Sequence, residues 1–116
     1  KLFDQQLQYF KKTLDLCNQH DVPIMIVNMP LTKYNRELID KSVYEKYLAS
    51  VTAISKQHRI PFIDMDDSDQ FTLSDFYDST HLNESGGRKL FTALSERIPK
   101  LTAEQPHIAG VNSSEN

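Results

Sequence analysis

Two stretches of the chain, "NQHDVPIMIV" (18–27) and "KQHRIPFID" (56–64), repeat one order of residue types. Each passes from a polar helix end through a short turn and a proline into an apolar run. A continuous apolar run, rather than an alternating one, predicts a strand buried on both faces. Strands are therefore expected at 24–27 and 59–64. Pro30, in "NMP" (28–30), stops the first, because proline cannot continue a central strand.

Working outward, Phe3, Leu7, Phe10, Leu14 and Cys17 recur at spacings of 4, 3, 4 and 3. That is one face of an amphipathic helix over residues 2–19, with Leu2 and Leu16 widening the stripe. Residues 42–58 form a second helix, with Tyr44, Tyr47, Leu48, Val51 and Ile54 on one side. A third spans 84–98, turning Leu90, Phe91, Leu94 and Ile98 inward and ending at Pro99. Asn83 is its N-cap, and Glu84 suits the positive end of the helix dipole. The stretch "LTKYNRELID" (31–40) reads as a polar connection and "MDDSDQFTLSD" (65–75) as an acidic loop. The order helix–strand–helix–strand–loop–helix is the grammar of parallel strands joined by right-handed crossovers. It makes the two strands parallel neighbours joined by the 42–58 helix. The expected fold class is α/β, a three-layer, mostly parallel open sheet. The chain supplies its C-terminal portion over residues 1–100, followed by a polar, frayed tail over 101–116. An opening at Lys1, already in a helical pattern, points to a piece of a longer protein whose upstream part completes the domain.

Composition narrows the function. The 116 residues are 39% hydrophobic and 25% charged, an ordinary balance for a globular protein. The longest apolar run is Ile24–Val27, far short of a membrane span. A net charge of −3 with scattered basic residues argues against nucleic acid. The single Cys17 lies on the apolar stripe and reads as a small buried hydrophobe. His20, His58 and His107 stand alone, without zinc spacing. His20 and His58 suit the negative ends of helices. "NSS" (112–114) fits a glycosylation acceptor by chance. No cofactor or metal is expected.

The chemistry-bearing stretch is "FYDSTHLNESGGRKLF" (76–91). Asp78 and His81 are three apart, just before a helix. A carboxylate that fixes an imidazole tautomer, with the imidazole as general base, is the acid–base half of an acyl-transfer triad. The same spacing also fits a polar corner, with Asp78 capping a turn. Gly86 and Gly87 each cost helix propensity of roughly 1 kcal/mol, which close packing of the helix start would justify. The acidic loop offers a rival. Asp64, Asp66, Asp67 and Asp69 follow a strand, as in metal-dependent phosphatases, but without the usual Gly-Thr or a lysine. A calcium loop fails because Asp69 stands where glycine is required.

Asp78, His81, Leu82, Asn83 and Gly86, after the strand-like "IPFIDM", resemble the last block of the SGNH (GDSL-type) hydrolases. The likeness covers about residues 5–98 and is nearest to uncharacterised and cell-envelope members. It implies a serine esterase or acyltransferase, with His81 as base, Asp78 as its orienting acid, and an ester substrate. An O-acylated polysaccharide or cell-wall polymer, and a cell-envelope location, follow from the likeness alone. That family's nucleophile sits in a Gly-Asp-Ser-like block, and no such block occurs here. All three glycines (86, 87, 110) follow His81. Nucleophile and oxyanion donors are thus expected upstream, and this chain alone is expected to be inactive. Asn28 does not inherit the oxyanion role, because its strand matches the wrong one. Arg36, just past the first strand's exit, is a candidate for holding an anionic or sugar group. The alternatives are a non-catalytic α/β binding or assembly module, or a metal-dependent phosphatase-like site at Asp64/Asp66.

Overall fold

The structure, a computed structural model, describes residues 2–66 and 70–104. Helix α1 (Leu2–Gln19) leads to strand β1 (Ile26–Asn28). Helices α2 (Lys33–Leu38) and α3 (Lys41–Gln57) follow, then strand β2 (Phe62–Asp64). A 3₁₀ turn (Leu73–Asp75) and helix α4 (Glu84–Glu104) complete the described chain. The described residues are mostly helical, with four helices and a two-stranded parallel sheet.

This corrects the three-layer open sheet. The junction pattern does lead into two strands that pair as parallel neighbours. Each strand, however, is only three residues long. Neither is buried on both faces: Ile26, Val27 and Phe62 are half-buried and Asp64 is exposed. Among the described residues no third strand joins them. Residues 33–38 become α2 rather than a polar connection, and residues 73–82 close as a turn and one isolated antiparallel bridge, Phe76 with Leu82.

The chain divides into two compact units. The first combines the residues up to Asn28 with Asp40–Ile63. Its core is Leu14 of α1, Ile54 of α3 and Ile60, with Leu7, Phe10, Ile24 and Ile26 packed against them. Its two helices end alike. Val22 N–H donates to the Cys17 carbonyl and Ile60 N–H to the Ser55 carbonyl, both at 2.9 Å. In the same places Asp21 (φ 53°) and Arg59 (φ 56°) adopt the left-handed conformation. These are two copies of the 6→1 helix-ending turn, which turns the chain back into each strand. His58 caps α3, and its ring nitrogens lie 2.9 Å from the Ile54 carbonyl and 2.9 Å from Asp15 Oδ1. Buried Asn28 at the end of β1 donates to Tyr44 Oη (3.0 Å) and accepts from Tyr47 Oη (2.9 Å).

The second unit combines Met29–Ile39 with the chain from Asp64 onward and contains Asp78 and His81. Met65, Phe71 and Leu90 are buried in it. Helix α4 does not stop at Pro99 but runs through it to Glu104. Phe91, expected inside, is 75% exposed, and Ile98 also faces solvent. Asp67, Asp69, His107, the 112–114 acceptor pattern and the tail beyond Glu104 lie outside the described residues.

Candidate functional site

The loop between the 3₁₀ turn and α4 is closed at its base. Phe76 and Leu82 pair across it, and Tyr77 N–H donates to the His81 carbonyl at 2.8 Å. At the tip, Asp78 Oδ1 accepts the N–H groups of Thr80 (2.8 Å) and His81 (2.7 Å). That is an Asx-type turn, the polar corner foreseen as one possibility. The same carboxylate also meets the imidazole. His81 Nδ1 lies 2.8 Å from Asp78 Oδ2 and 3.0 Å from Oδ1. Corner and pair therefore coexist. A carboxylate can only accept, so Nδ1 carries a proton, and in the neutral ring the lone pair is therefore on Nε2. The His81 side chain is 76% exposed. The Thr80 and His81 N–H groups and the imidazole together hold the Asp78 carboxyl well below the usual carboxylate range; the Thr80 amide is the largest contributor, followed by the imidazole.

Both sides of this loop are anchored. On one side stands Asp75, 1% exposed and charged. Its carboxylate accepts from Lys89 Nζ (2.6 Å), Thr72 N–H (2.9 Å) and Ser85 Oγ (2.9 Å). Lys89 first, then the Thr72 amide, push its pKa far down, against the opposing effect of burial. Its backbone carbonyl accepts Asn83 N–H at 2.9 Å. The Asn83 side chain caps α4, accepting Gly86 N–H at 3.1 Å and donating to the Ser74 carbonyl at 2.7 Å. Gly86 is required there: a Cβ at this position would overlap the Asp75 carbonyl oxygen and stand 2.8 Å from Leu82 Cδ2. Gly87 faces open space and has no such reason. The "TLSD" spacing (72–75) is a capping-box pattern, a signal that could have marked Asp75 from sequence.

On the other side stands α2. Thr32, its N-cap and only 3% exposed, donates from Oγ1 to the Ser79 carbonyl at 3.0 Å. Asn35 Nδ2 donates to the same carbonyl at 2.6 Å. Helix α2 is itself tied down by buried Asp66. Leu31 N–H donates to Asp66 Oδ1 (2.8 Å), while Arg36 Nη2 lies 2.6 Å from Oδ2 and donates to the Asp66 carbonyl at 2.7 Å. Arg36 thus binds a carboxylate of its own chain. The Asp66 carboxylate is likewise engaged by protein donors on both oxygens, and Asp64 Oδ1 accepts Asp66 N–H at 3.0 Å. Among the described residues no group of three or more His, Cys, Asp or Glu side chains is placed to hold a metal ion. A cleft of about 630 Å³ adjoins α2, walled by Leu31, Thr32, Tyr34, Arg36, Phe71 and Phe76 among others. Among the described residues no helix is long and apolar enough to cross a membrane.

No curated protein and no solved structure matches the chain. Residues 1–94 match a family model described as "Protein of unknown function (DUF1574)".

Proposed function

The chain belongs to the DUF1574 family, whose description assigns no activity, and we propose that Asp78 and His81 form the acid–base half of a serine esterase or acyltransferase. The observation that carries this reading is the 2.8 Å contact between Asp78 Oδ2 and His81 Nδ1 beside an exposed imidazole. Asp78 stays ionised, orients the ring, and stabilises the imidazolium that forms when Nε2 takes a hydroxyl proton. The resemblance of the Asp78–Gly86 block to SGNH hydrolases supports an ester as substrate. The nucleophile comes from outside these 116 residues. Ser85, the nearest serine in α4, spends its hydroxyl on Asp75. Ser79 shares the short loop with His81 and cannot reach Nε2 in line while Asp78 holds Nδ1.

The test is ester turnover. The 116-residue chain alone does not hydrolyse p-nitrophenyl acetate. The protein with all the sequence its gene encodes does, and it is labelled by a fluorophosphonate on a serine outside this chain. His81→Ala lowers its kcat by about 10²–10⁴-fold, the usual contribution of a general base. Turnover unchanged in His81→Ala, or a full-length protein without turnover or label, removes the reading and leaves a binding or assembly module.

A further inference from the structure

We propose that Thr32 and Asn35 are positioning residues for the Asp78–His81 pair, acting through the carbonyl of Ser79. This rests on the acid–base reading for its catalytic meaning but not for its physical basis. Asp78 and His81 both belong to a short exposed loop, and their own hydrogen bonds are internal to it. Internal bonds of an exposed loop compete with water, so the pair holds only as firmly as the backbone between its two residues is fastened. Ser79, between the two residues, is where the loop is fastened from outside. One carbonyl oxygen there accepts two side-chain donors from α2, at 3.0 and 2.6 Å. A carbonyl has two lone pairs, so the two donors use its full capacity and fix it in two directions.

The donors are themselves held. The Thr32 hydroxyl accepts Asn35 N–H at 3.3 Å while donating to Ser79. The helix cap and the clamp are therefore one chain of hydrogen bonds, in which each polarises the next. Behind them, Arg36 and the Leu31 amide fasten both ends of this turn to buried Asp66. The route from a buried carboxylate to the exposed imidazole thus runs Asp66, α2, Ser79, Asp78, His81. A site with an exposed base needs such a brace, since a displacement of about 1 Å at the reacting group costs on the order of 10²-fold in rate. Arg36 has a place in this route that requires no contact with substrate.

The experiment reads the imidazole directly, on the 116-residue chain and without substrate. Long-range ¹H–¹⁵N correlation spectra report the fraction of neutral His81 protonated on Nδ1. The native chain shows mostly Nδ1–H, and Asp78→Asn shows how far the signal moves when the carboxylate is lost. Asn35→Ala, which leaves the Thr32 cap intact, is expected to raise the Nε2–H fraction at least two-fold. Thr32→Val combined with Asn35→Ala raises it further, and Thr32→Ser keeps the native value. Lys33→Ala, an exposed change on the same helix, leaves it unmoved. An unchanged tautomer ratio in the double variant with native circular dichroism overturns the proposal, as does an equal change in Lys33→Ala. Should the double variant unfold, Asn35→Ala alone decides. If the clamp variants shift the tautomer but the full-length protein never turns over ester, the acid–base reading falls and the clamp stands. If turnover depends on His81 while the tautomer ignores Thr32 and Asn35, the clamp falls alone.

Discussion

Gly86 and Gly87 are neighbours in one helix turn, yet replacing them should act with opposite sign. Alanine at Gly86 drives a methyl group into the Asp75 carbonyl and the Leu82 side chain. A loss of about 1–3 kcal/mol, typical of overpacking, is expected in urea unfolding. Alanine at Gly87 meets nothing within 4 Å and should gain up to about 1 kcal/mol from helix propensity. Equal effects at the two positions would contradict the packing described at the head of α4. The sequence showed that a glycine here needs a reason; it could not show that only one of the two has it. Asp78 and His81 were legible as a pair, because a spacing of three on one loop brings side chains within reach. Asp75 was not singled out: the "TLSD" spacing can mark it as a cap, but its burial depends on Lys89 and Ser85, which lie farther along the chain. Arg36 was visible as a cation near a strand exit, but its partner Asp66 lies 30 residues away.

Helix ends carry the clearest lesson at the level of elements. The repeated junctions that predict two strands also contain two left-handed residues, Asp21 and Arg59. A residue with a Cβ in that conformation costs roughly 1–2 kcal/mol, against about 0.5–1 kcal/mol of extra chain entropy for glycine. Arg59→Gly should therefore stabilise the protein by about 0.5–1 kcal/mol, read as a higher thermal midpoint. A lower midpoint would mean that the Arg59 side chain contributes more than the turn costs. Along α1, periodicity alone placed Leu14 and Leu16 on one widened stripe. Leu14 is buried and Leu16 is 56% exposed. Leu14→Ala should cost about 2–5 kcal/mol, and Leu16→Ala within about 0.5 kcal/mol, as urea midpoints at constant slope will show. Helix α2 was missed because six residues with a polar majority give no apolar period to read. Its signals are Thr32 as a cap and the capping Asp40 that starts α3 directly behind it.

For the whole molecule, acid is the informative perturbation. The carboxyls of Asp75, Asp78 and Asp40 titrate lower in the folded chain than in the unfolded one. Each contributes stability that is complete above the unfolded value, about 3.9. That stability is lost as pH falls from there towards the folded value. Asp40 and Asp78 are exposed to solvent and screened, so Asp75 should dominate. The urea midpoint should hold level from pH 7 to about 5 and then fall. Asp75→Asn should start lower and decline less steeply. A native curve as shallow as the variant's would mean that Asp75 does not hold the charge assigned to it. At this scale the sequence was least legible. Two strand entries were read correctly, but the helix–strand order was then extended into a larger open sheet, where the described residues provide two three-residue strands.

The chain passes between its two units after Asn28, after Ile39 and after Ile63. Such interleaving rules out dissection by one cut. A fragment beginning at Asp64 would retain Asp78, His81 and all of α4, and so look complete at the level of motif. It would lack Thr32, Asn35 and Arg36, which arrive from the other side of a 24-residue insertion (Asp40–Ile63). Shortening this protein towards its apparent motif would therefore remove the brace before it removed any residue a motif search would miss.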